Sequence, residues 1–309
     1  MRKSYLIMGV SPTNGRAGYT QGIFPYTIRL NEPQGKLKNM LNQTQVDTFR
    51  EKGFLLGNRV LSDEQVDELR SELARVIDNY EKPEVPQPVR IANLGGKEES
   101  PVWQIVNIWE ASSAYHRLVH NPIIVEEIGQ LMSATELRVW HDQIQYKPPK
   151  VGGVNRWHQD SPLWGILMPK TSQVSAWVAL DDVDESNGCM RMVRGSYHWG
   201  SQMPFLREIP DIHTMPDRFE DNALAVEFCP VPKGHVHYHH ALTWHGSHDN
   251  TSEGPRRAIA VHYMTGETVY DESGNHIMKR FVTVNGGNKL AGHHFPLVMD
   301  EGKPTKANI

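Results

Sequence analysis

The chain has 309 residues but only two cysteines, Cys189 and Cys229. Two thiols in a chain of this length do not make the disulfide framework of a small secreted domain, and they fit a reduced intracellular setting. We expect both to be small, buried hydrophobic side chains. The fold must then be stabilised by an apolar core, which a chain of this length can build.

Long apolar segments and a strong net charge are also missing. No run of 18 or more apolar residues occurs, which argues against a membrane-spanning helix. The apolar run from Tyr5 to Val10 is short for a signal peptide. The net charge of -4 gives no electrostatic case for nucleic acid or an anionic membrane as partner. We therefore expect a cytoplasmic protein that acts on a small molecule.

Composition divides the chain into unequal parts. Residues 1–40 are rich in Gly, Pro and Asn and lack periodicity, which predicts an irregular N-terminal arm that could support a homodimer. No linker-like break interrupts the rest, so we expect a single domain at 41–300 and a C-terminal tail at 301–309. A polar, proline-rich segment at about 200–222 predicts an insertion or a lid over the site.

Capping residues mark two helices near the start of the domain. Asn42 can cap a short helix that ends near Gly53. Ser62 and Gln65 form a capping box, and apolar residues at helical spacing follow as far as Tyr80. This pattern predicts an amphipathic helix that packs on the core.

Most of the remaining domain predicts short strands, at Val102–Trp109, Leu137–Tyr146, Gln173–Leu180, Cys189–Val193, Ala223–Phe228, His235–His239 and Ala258–Met264. In the second of these, simple alternation places one set of residues on one face: Leu137, Val139, His141, Gln143 and Gln145. Asn187-Gly188 predicts a hairpin between the third and fourth strands. The whole pattern predicts a mainly β (α+β) fold, in which a double-stranded β-helix would hold a metal in its mouth.

The segment from Trp157 to Trp177 contains the only His-x-Asp or His-x-Glu sequence of the chain, formed by His158 and Asp160. On a strand, residues i and i+2 point the same way, so this imidazole and carboxylate can bind one cation. A second histidine would complete the ligand set of non-heme Fe(II) oxygenases, which leaves positions open for substrate and O₂. The histidine-rich segment at 235–248 offers several candidates, and spacing alone does not choose among them.

Four stretches give the chain from about Leu41 to Met264 a family resemblance. They read REKGFLLGNRVLSDEQVDELRSEL, WHQD, VSAWVALDDVDESNGCMRMVRGSYHWG and WHGSHDNTSEGPRRAIAVHY. Their sequence and order resemble the phytanoyl-CoA dioxygenase (PhyH-like) family of Fe(II)- and 2-oxoglutarate-dependent oxygenases. The resemblance implies a double-stranded β-helix (jelly roll, cupin-like) with N-terminal helices packed on its outer sheet.

The resemblance also implies the catalytic and metal residues. His158, Asp160 and His245 match the iron ligands, and Arg256 matches the arginine that binds 2-oxoglutarate. A planar guanidinium can hold the distal carboxylate of this cosubstrate through two hydrogen bonds, which a lysine cannot match. The neighbouring Arg257 should face the other way on its strand.

Three further cosubstrate contacts follow from the same resemblance. Ser247 would donate its hydroxyl to the distal carboxylate, Trp177 would lie beside the cosubstrate, and Gln143 would line its pocket. Gln159 lies between two ligands and should face away from the metal. Candidates for the substrate cavity are Trp164, Lys170, Arg191, His239 and His240.

The implied reaction is hydroxylation of a small molecule, with 2-oxoglutarate and O₂ consumed and succinate and CO₂ released. Related halogenases lack the carboxylate ligand, so the presence of Asp160 argues against halogenation. The same iron core could instead catalyse desaturation, cyclisation or oxidative cleavage. A catalytically silent β-helix that acts as a binding module is a further alternative, as is a zinc-bound hydrolase or isomerase, which would leave Arg256 and Ser247 without a purpose.

Overall fold

Reciprocal capping hydrogen bonds begin the first two helices of the computed structural model, which describes residues 41–93, 102–150 and 153–307. The Asn42 side chain accepts from the Gln45 amide while the Gln45 side chain accepts from Asn42, and Ser62 and Gln65 do the same. The first helix ends at Gly53, whose φ of 84° is left-handed. The predicted caps are confirmed, while the arm at 1–40 lies outside the described residues.

Within these ranges the α-helices are α1 (Gln43–Lys52), α2 (Asp63–Asp78), α3 (Ser113–Val119), α4 (Pro122–Met132) and α5 (Met203–Glu208). The strands are β1 (Phe54–Arg59), β2 (Arg90–Asn93), β3 (Trp103–Val106), β4 (Leu137–Lys147), β5 (Asn155–His158), β6 (Leu167–Met168), β7 (Gln173–Ala179), β8 (Met190–Val193), β9 (Arg218–Phe219), β10 (Asn222–Ala223), β11 (Val226–Cys229), β12 (His235–His240), β13 (His245–Ser247), β14 (Arg256–Thr265), β15 (Val269–Tyr270), β16 (Leu297–Asp300) and β17 (Lys303–Pro304). Short 3-10 turns lie at Ile108–Glu110, Ser161–Leu163, Ser196–Trp199 and Ile277–Phe281.

Two antiparallel sheets form the centre of the fold. The larger sheet has the order β1-β12-β7-β14-β4-β16-β17, with β3 also paired to β4 and β2 paired to β3. The smaller sheet has the order β11-β8-β13-β5. Apolar side chains of both sheets, such as Ala260 and Met192, pack between them. This strand-rich, curled arrangement is the predicted double-stranded β-helix.

The N-terminal helices cover the outer face of the larger sheet. One apolar cluster joins helix residues such as Leu69 and Ile128 to sheet residues such as Val178 and Val261. Burial of these side chains is worth roughly 25 cal/mol for each Å² of apolar surface removed from water. The predicted position of the helices on the outer sheet is therefore confirmed.

Strand β4 contains a bulge that the sequence did not predict. In the pairing of β4 with β14, His141 lies opposite His262 and Val139 lies opposite Tyr263. Trp140 is therefore the extra residue of the bulge and has no partner in β14. A bulge interrupts the alternation of side chains. Leu137 and Val139 consequently pack with the helices, whereas His141 and the glutamines after it line the central cavity. The prediction that all these residues share one face was wrong.

The turn at Asn187-Gly188 connects the two sheets and does not form a hairpin. Strand β7 lies inside the larger sheet, while β8 pairs with β11 and β13 in the smaller one. Gly188 has a φ of 83°, and a Cβ at this position would lie 2.6 Å from the His248 carbonyl oxygen. Gly188 thus lies in a connection that crosses from one sheet to the other. The hairpin prediction was wrong.

The segment at about 200–222 packs mainly on the outer face of the smaller sheet. Leu206, Ile212 and Phe219 form an apolar cluster with Trp157 and Trp244 of that sheet. The segment reaches the central cavity through Met203. The segment therefore packs mainly against the face of the smaller sheet's strands that is turned away from the cavity.

The end of the chain extends the larger sheet. Strand β17 pairs with β16, so the described fold continues beyond residue 300, where the tail was expected to begin. Both cysteines are free and buried, as predicted. No helix in the described ranges combines the length and apolar character needed to cross a membrane.

Candidate metal centre and cosubstrate site

A cavity of about 590 Å³ opens between the two sheets. The larger sheet contributes Gln143 and Trp177 to its wall, and the smaller sheet contributes His158, His245 and Ser247. Cavities of this size bind small organic molecules. The predicted site residues named here therefore lie around one space.

Three predicted ligands converge at one end of this cavity. His158 ends β5 and lies directly opposite His245, which begins β13. Asp160 follows two residues after His158, and its Oδ1 lies 3.7 Å from His158 Nε2 and 3.6 Å from His245 Nε2. The ligand atoms of all three residues lie within 4.8 Å of one another. This spacing suits a single metal ion.

Backbone carbonyls orient the two histidine rings. The Nδ1 of His158 lies 2.7 Å from the Arg156 carbonyl, and the Nδ1 of His245 lies 2.9 Å from the Thr243 carbonyl. Because a carbonyl can only accept, each Nδ1 carries the proton and each Nε2 keeps its lone pair. Such bonds are typical of histidines that bind metals.

The carboxylate is held in the same way. Ser175 donates to Asp160 Oδ2 at 2.9 Å, and His239 Nε2 lies 3.1 Å from the same oxygen. These contacts fix the rotation of the carboxylate and leave Oδ1 directed at the two histidines. One carboxylate oxygen is thus available for a metal.

The pKa values of the ligands favour metal binding at neutral pH. Burial, followed by the neighbouring His245, lowers the pKa of His158 to about 4. Burial alone would raise the pKa of Asp160, but His245, His239 and His262 together hold it well below its usual range. Neutral imidazoles and an ionised carboxylate are the forms that coordinate a cation.

A buried arginine and a buried lysine lie at the other side of the site. Arg256 begins β14, is 1% exposed and lies opposite Lys147, the last residue of β4. Its guanidinium donates to the carbonyls of Gln145 and Gly188 over 3.3 and 3.4 Å, and its Nε has no partner. No carboxylate of the described residues forms an ion pair with Arg256. A buried charge in this state favours an anionic ligand.

Lys147 is the site residue that the sequence reasoning missed. Its Nζ donates to Ser247 Oγ at 2.8 Å and to the His248 carbonyl. Burial, followed by repulsion from Arg256, lowers its pKa to about 6. Alternation after the bulge could have revealed it, because Gln143, Gln145 and Lys147 are two residues apart on one strand.

Trp177 lines the cavity and lies next to Arg256, which is not itself among the lining residues. The Arg256 guanidinium carbon lies 5.4 Å from the centre of the Trp177 ring. The indole N–H donates to the Gln145 side chain at 3.1 Å, so Gln145 joins the predicted Gln143 as a cavity residue. Arg257 pairs with Asp181 on the opposite side of the strand, as predicted.

Three other predicted residues lie in or beside the cavity. Gln159 donates to the Leu242 and Gly200 carbonyls, away from the ligand oxygen of Asp160. Trp164 and His239 line the cavity.

Three candidates for the substrate cavity lie elsewhere. Lys170 binds the Trp164 carbonyl, and His240 Nε2 lies 3.1 Å from the Thr171 carbonyl. Arg191 lies over the Phe228 ring. These three side chains thus have local structural partners and are not among the residues that line the cavity.

Comparison with known proteins supports the chemistry of this donor set. The family model of phytanoyl-CoA dioxygenase (PhyH) matches residues 49–258. Peroxisomal phytanoyl-CoA dioxygenase of Rattus norvegicus is 26% identical over 286 residues, which are 87% of this chain and 80% of the rat protein. Ectoine dioxygenase of Bordetella parapertussis is 27% identical over 250 residues, which are 76% of this chain and 79% of that protein.

A solved structure agrees with these sequence relatives. The non-heme, alpha-ketoglutarate-dependent carbocyclase SnoK from nogalamycin biosynthesis is 27% identical, with a TM-score of 0.66 over 84% of this chain and 97% of that chain. The family match covers more than half of the sequence and includes the residues of the candidate metal centre. The chain belongs to the phytanoyl-CoA dioxygenase family of non-heme iron, 2-oxoglutarate-dependent oxygenases.

Proposed function

We propose that this protein hydroxylates a small molecule, consuming 2-oxoglutarate and O₂ and releasing succinate and CO₂. The observation that carries the proposal is the proximity of a metal-binding triad, His158, Asp160 and His245, to the buried side chains of Arg256 and Lys147. A two-histidine, one-carboxylate set suits Fe(II), and a buried arginine suits a dicarboxylate. Ser247 links the two groups, because it lines the cavity beside the triad and accepts a hydrogen bond from Lys147.

His158 and His245 would hold iron through Nε2 and Asp160 through Oδ1. Bound iron and 2-oxoglutarate together supply the activation of O₂. The protein's own contribution is orientation: Ser175 and His239 keep the second carboxylate oxygen occupied, so Asp160 offers the metal one oxygen in a fixed direction. These contacts would preserve open metal positions for the cosubstrate and O₂.

Arg256 would bind the distal carboxylate of 2-oxoglutarate, with Ser247 and Lys147 as further donors. The buried Arg256 cation costs free energy in isolation, and an anion beside it would offset that cost and favour the protonated form of Lys147. Trp177 and Gln143 would line the cosubstrate pocket from the larger sheet. With these contacts, the distal carboxylate of 2-oxoglutarate would lie away from the substrate.

Oxidative ring formation is a second candidate reaction. It is favoured by the similarity to the carbocyclase SnoK, which is 27% identical along 97% of its own chain. Hydroxylation and ring formation would use the same iron centre and differ in how the substrate lies against it. The two outcomes are separated by the mass of the product, because only hydroxylation adds an oxygen atom.

The iron and cosubstrate roles can be tested without knowing the substrate. Metal-stripped protein is mixed anaerobically with Fe(II) and then with 2-oxoglutarate, and the visible spectrum is recorded. We expect a metal-to-ligand charge-transfer band that is lost in His158→Ala. In Arg256→Lys the band should still form, but the affinity for 2-oxoglutarate should fall at least about tenfold. The matched control is Arg257→Lys, because Arg257 is adjacent in sequence but pairs with Asp181 outside the cavity.

A spectrum without the band would contradict the proposal. Equal 2-oxoglutarate affinity in Arg256→Lys and Arg257→Lys would contradict the role of Arg256 while leaving the iron centre intact.

A further inference from the structure

A group of cavity residues next to the metal centre supplies none of the predicted iron or cosubstrate ligands, although one of them, His262, contacts Ser175 and lies 3.9 Å from Asp160 Oδ2. It consists of His141, His262 and His276, with Trp164 packed against them, and is called here the histidine wall. His141 follows the bulge in β4 and lies opposite His262, with ring centres 4.8 Å apart. His276 stacks on His141 at 5.4 Å, and Trp164 lies 4.7 Å from His262.

Hydrogen bonding fixes the proton of His262. Its Nδ1 lies 2.7 Å from Ser175 Oγ, and Ser175 donates its only proton to the Asp160 carboxylate. The hydroxyl must then accept from His262, so the proton of the imidazole is on Nδ1. The Nε2 of His262 is left as an acceptor. No hydrogen bond within the described ranges occupies it.

His141 and His276 differ in which ring nitrogen carries the proton. The Nδ1 of His141 lies 3.3 Å from the Asp142 carbonyl, which requires a proton on Nδ1. Its buried Nε2 is therefore a second acceptor, and it has no partner. The Nδ1 of His276 accepts from the Met278 amide at 3.2 Å, so its Nε2 carries a proton and can donate. The wall thus presents two acceptors and one donor.

Burial keeps His141 and His276 neutral. It lowers the pKa of His276 to about 4 and the pKa of His141 well below the usual value. The acceptor atoms of His141 and His262 call for a ligand that donates hydrogen bonds, which means a hydroxyl or an amine.

The charge of the cavity decides between these two groups. Asp160 is the single carboxylate among the described lining residues, and it is the predicted metal ligand. The lining also includes Arg90 and Arg156. An ammonium group would meet two arginines and a metal cation, and the described lining offers it no free carboxylate. A hydroxyl avoids this cost.

We propose that the histidine wall is a substrate subsite that binds neighbouring hydroxyl groups, so that the substrate carries a diol or polyol. This inference rests on the proposed oxygenase function, because it places the hydroxyl-bearing part of the substrate beside the iron ligands. His141 and His262 accept from the substrate hydroxyls, and His276 donates to a substrate oxygen. Trp164 holds the rings in position.

The test compares a diol with its ether. Protein loaded with Zn(II) and 2-oxoglutarate is titrated with cis-cyclohexane-1,2-diol and with cis-1,2-dimethoxycyclohexane, and binding is measured by saturation-transfer NMR. The ether keeps both oxygens but cannot donate. We expect the diol to bind about tenfold more tightly, because the ether leaves the acceptors unpaired.

Variants separate the three rings. His141→Phe and His262→Phe should each lower the preference for the diol to about threefold, and together they should remove it. His276→Phe should weaken both compounds equally and keep the preference, because its N–H can donate to either oxygen. The matched control is His116→Phe, whose ring stacks on Trp109 at 5.3 Å outside this cavity and should change neither affinity.

Equal binding of diol and ether, or binding of neither, would overturn the subsite. A preference that survives the double variant would overturn it as well, since the acceptors would then lie elsewhere. The charge-transfer band of the same preparation with Fe(II) distinguishes the two proposals. If the band is present, such a result overturns only the hydroxyl subsite; if the band is absent, the oxygenase function fails.

Discussion

At the scale of single residues, the least expected feature is the ammonium group of Lys147 beside the guanidinium of Arg256. Burial and this neighbour lower the pKa of Lys147 to about 6. A neutral lysine attracts a carboxylate less than a charged one. The affinity for 2-oxoglutarate should therefore depend on the protonation of Lys147.

We predict that 2-oxoglutarate binds more weakly as the pH rises above 6. The empty site loses the Lys147 proton through its pKa of about 6, whereas the bound carboxylate favours the protonated form. Each pH unit above this pKa should cost up to about tenfold in affinity until the pKa of the complex is reached. Titration of the charge-transfer band between pH 6 and 8 measures the effect.

Lys147→Met should bind the cosubstrate weakly and with little pH dependence in this range. Lys150→Met serves as control, because the Lys150 side chain is 62% exposed and pairs with Glu253. An unchanged pH dependence in Lys147→Met would show that another group titrates.

The orientation of Asp160 leads to a second prediction. Ser175→Ala removes the 2.9 Å hydrogen bond to Asp160 Oδ2, so the carboxylate can rotate away from the metal. We expect a loss of about 10- to 100-fold in metal affinity, measured by competition with a chelator. Ser172→Ala is the control, because this buried serine bonds to Thr268 and to the Pro169 carbonyl instead. Equal losses in both variants would contradict the orienting role.

Sequence alone indicated the candidate metal ligands but not the residues that support them. His158 and Asp160 are separated by one residue, but the expectation that both lie on a strand was wrong. Strand β5 ends at His158, and Asp160 has helical backbone angles and precedes the 3-10 turn at Ser161–Leu163. Ser175 and Lys147 belong to other strands, and their contacts depend on which strands become neighbours. The missed residues are thus those whose role is set by pairing between distant segments.

At the scale of elements, capping residues made α1 and α2 predictable, because a cap acts within four residues of the chain. The bulge at Trp140 and the crossover at Gly188 were not predictable in this way. The bulge is defined by the register of β4 against β14, which is more than 100 residues away. Asn-Gly signals a turn but does not specify which sheet the next strand joins.

The crossover glycine should be sensitive to substitution. A Cβ at Gly188 would lie 2.6 Å from the His248 carbonyl oxygen and 3.3 Å from Lys147 Nζ, at a φ of 83°. We expect Gly188→Ala to lower the free energy of unfolding by about 1–3 kcal/mol and to weaken 2-oxoglutarate binding through Lys147. Chemical denaturation and the charge-transfer titration measure the two effects.

Gly254→Ala is the matched control, because nothing lies within 4 Å of its added Cβ. If the two variants are equally stable, the crossover does not require a glycine.

At the scale of the whole molecule, the site joins the two sheets. The predicted iron ligands His158 and His245 lie on the smaller sheet, whereas Arg256 and Lys147 lie on the larger one. A cosubstrate bound to both would connect the sheets across the cavity. A fold class read from strand patterns could not specify this connection, because it depends on how the sheets face each other.

Metal and cosubstrate should therefore stabilise the folded protein together. A ligand that binds only the native state adds about 2.7 kcal/mol at a concentration of 100 times its dissociation constant. We expect Zn(II) to raise Tm, 2-oxoglutarate to raise it further only when the metal is present, and a chelator to reverse both shifts. Thermal unfolding followed by calorimetry measures each step.

Two variants locate these contributions in the two sheets. In Asp160→Asn the Zn(II) shift should be reduced, because the carboxylate ligand is lost, and the cosubstrate shift should fall with it. In Arg256→Lys the Zn(II) shift should remain and the cosubstrate shift should decline, because the bidentate donor is replaced. A cosubstrate shift that persists in Asp160→Asn without metal would mean that 2-oxoglutarate binds to Arg256 and Lys147 alone, and the two sheets would then contribute independently.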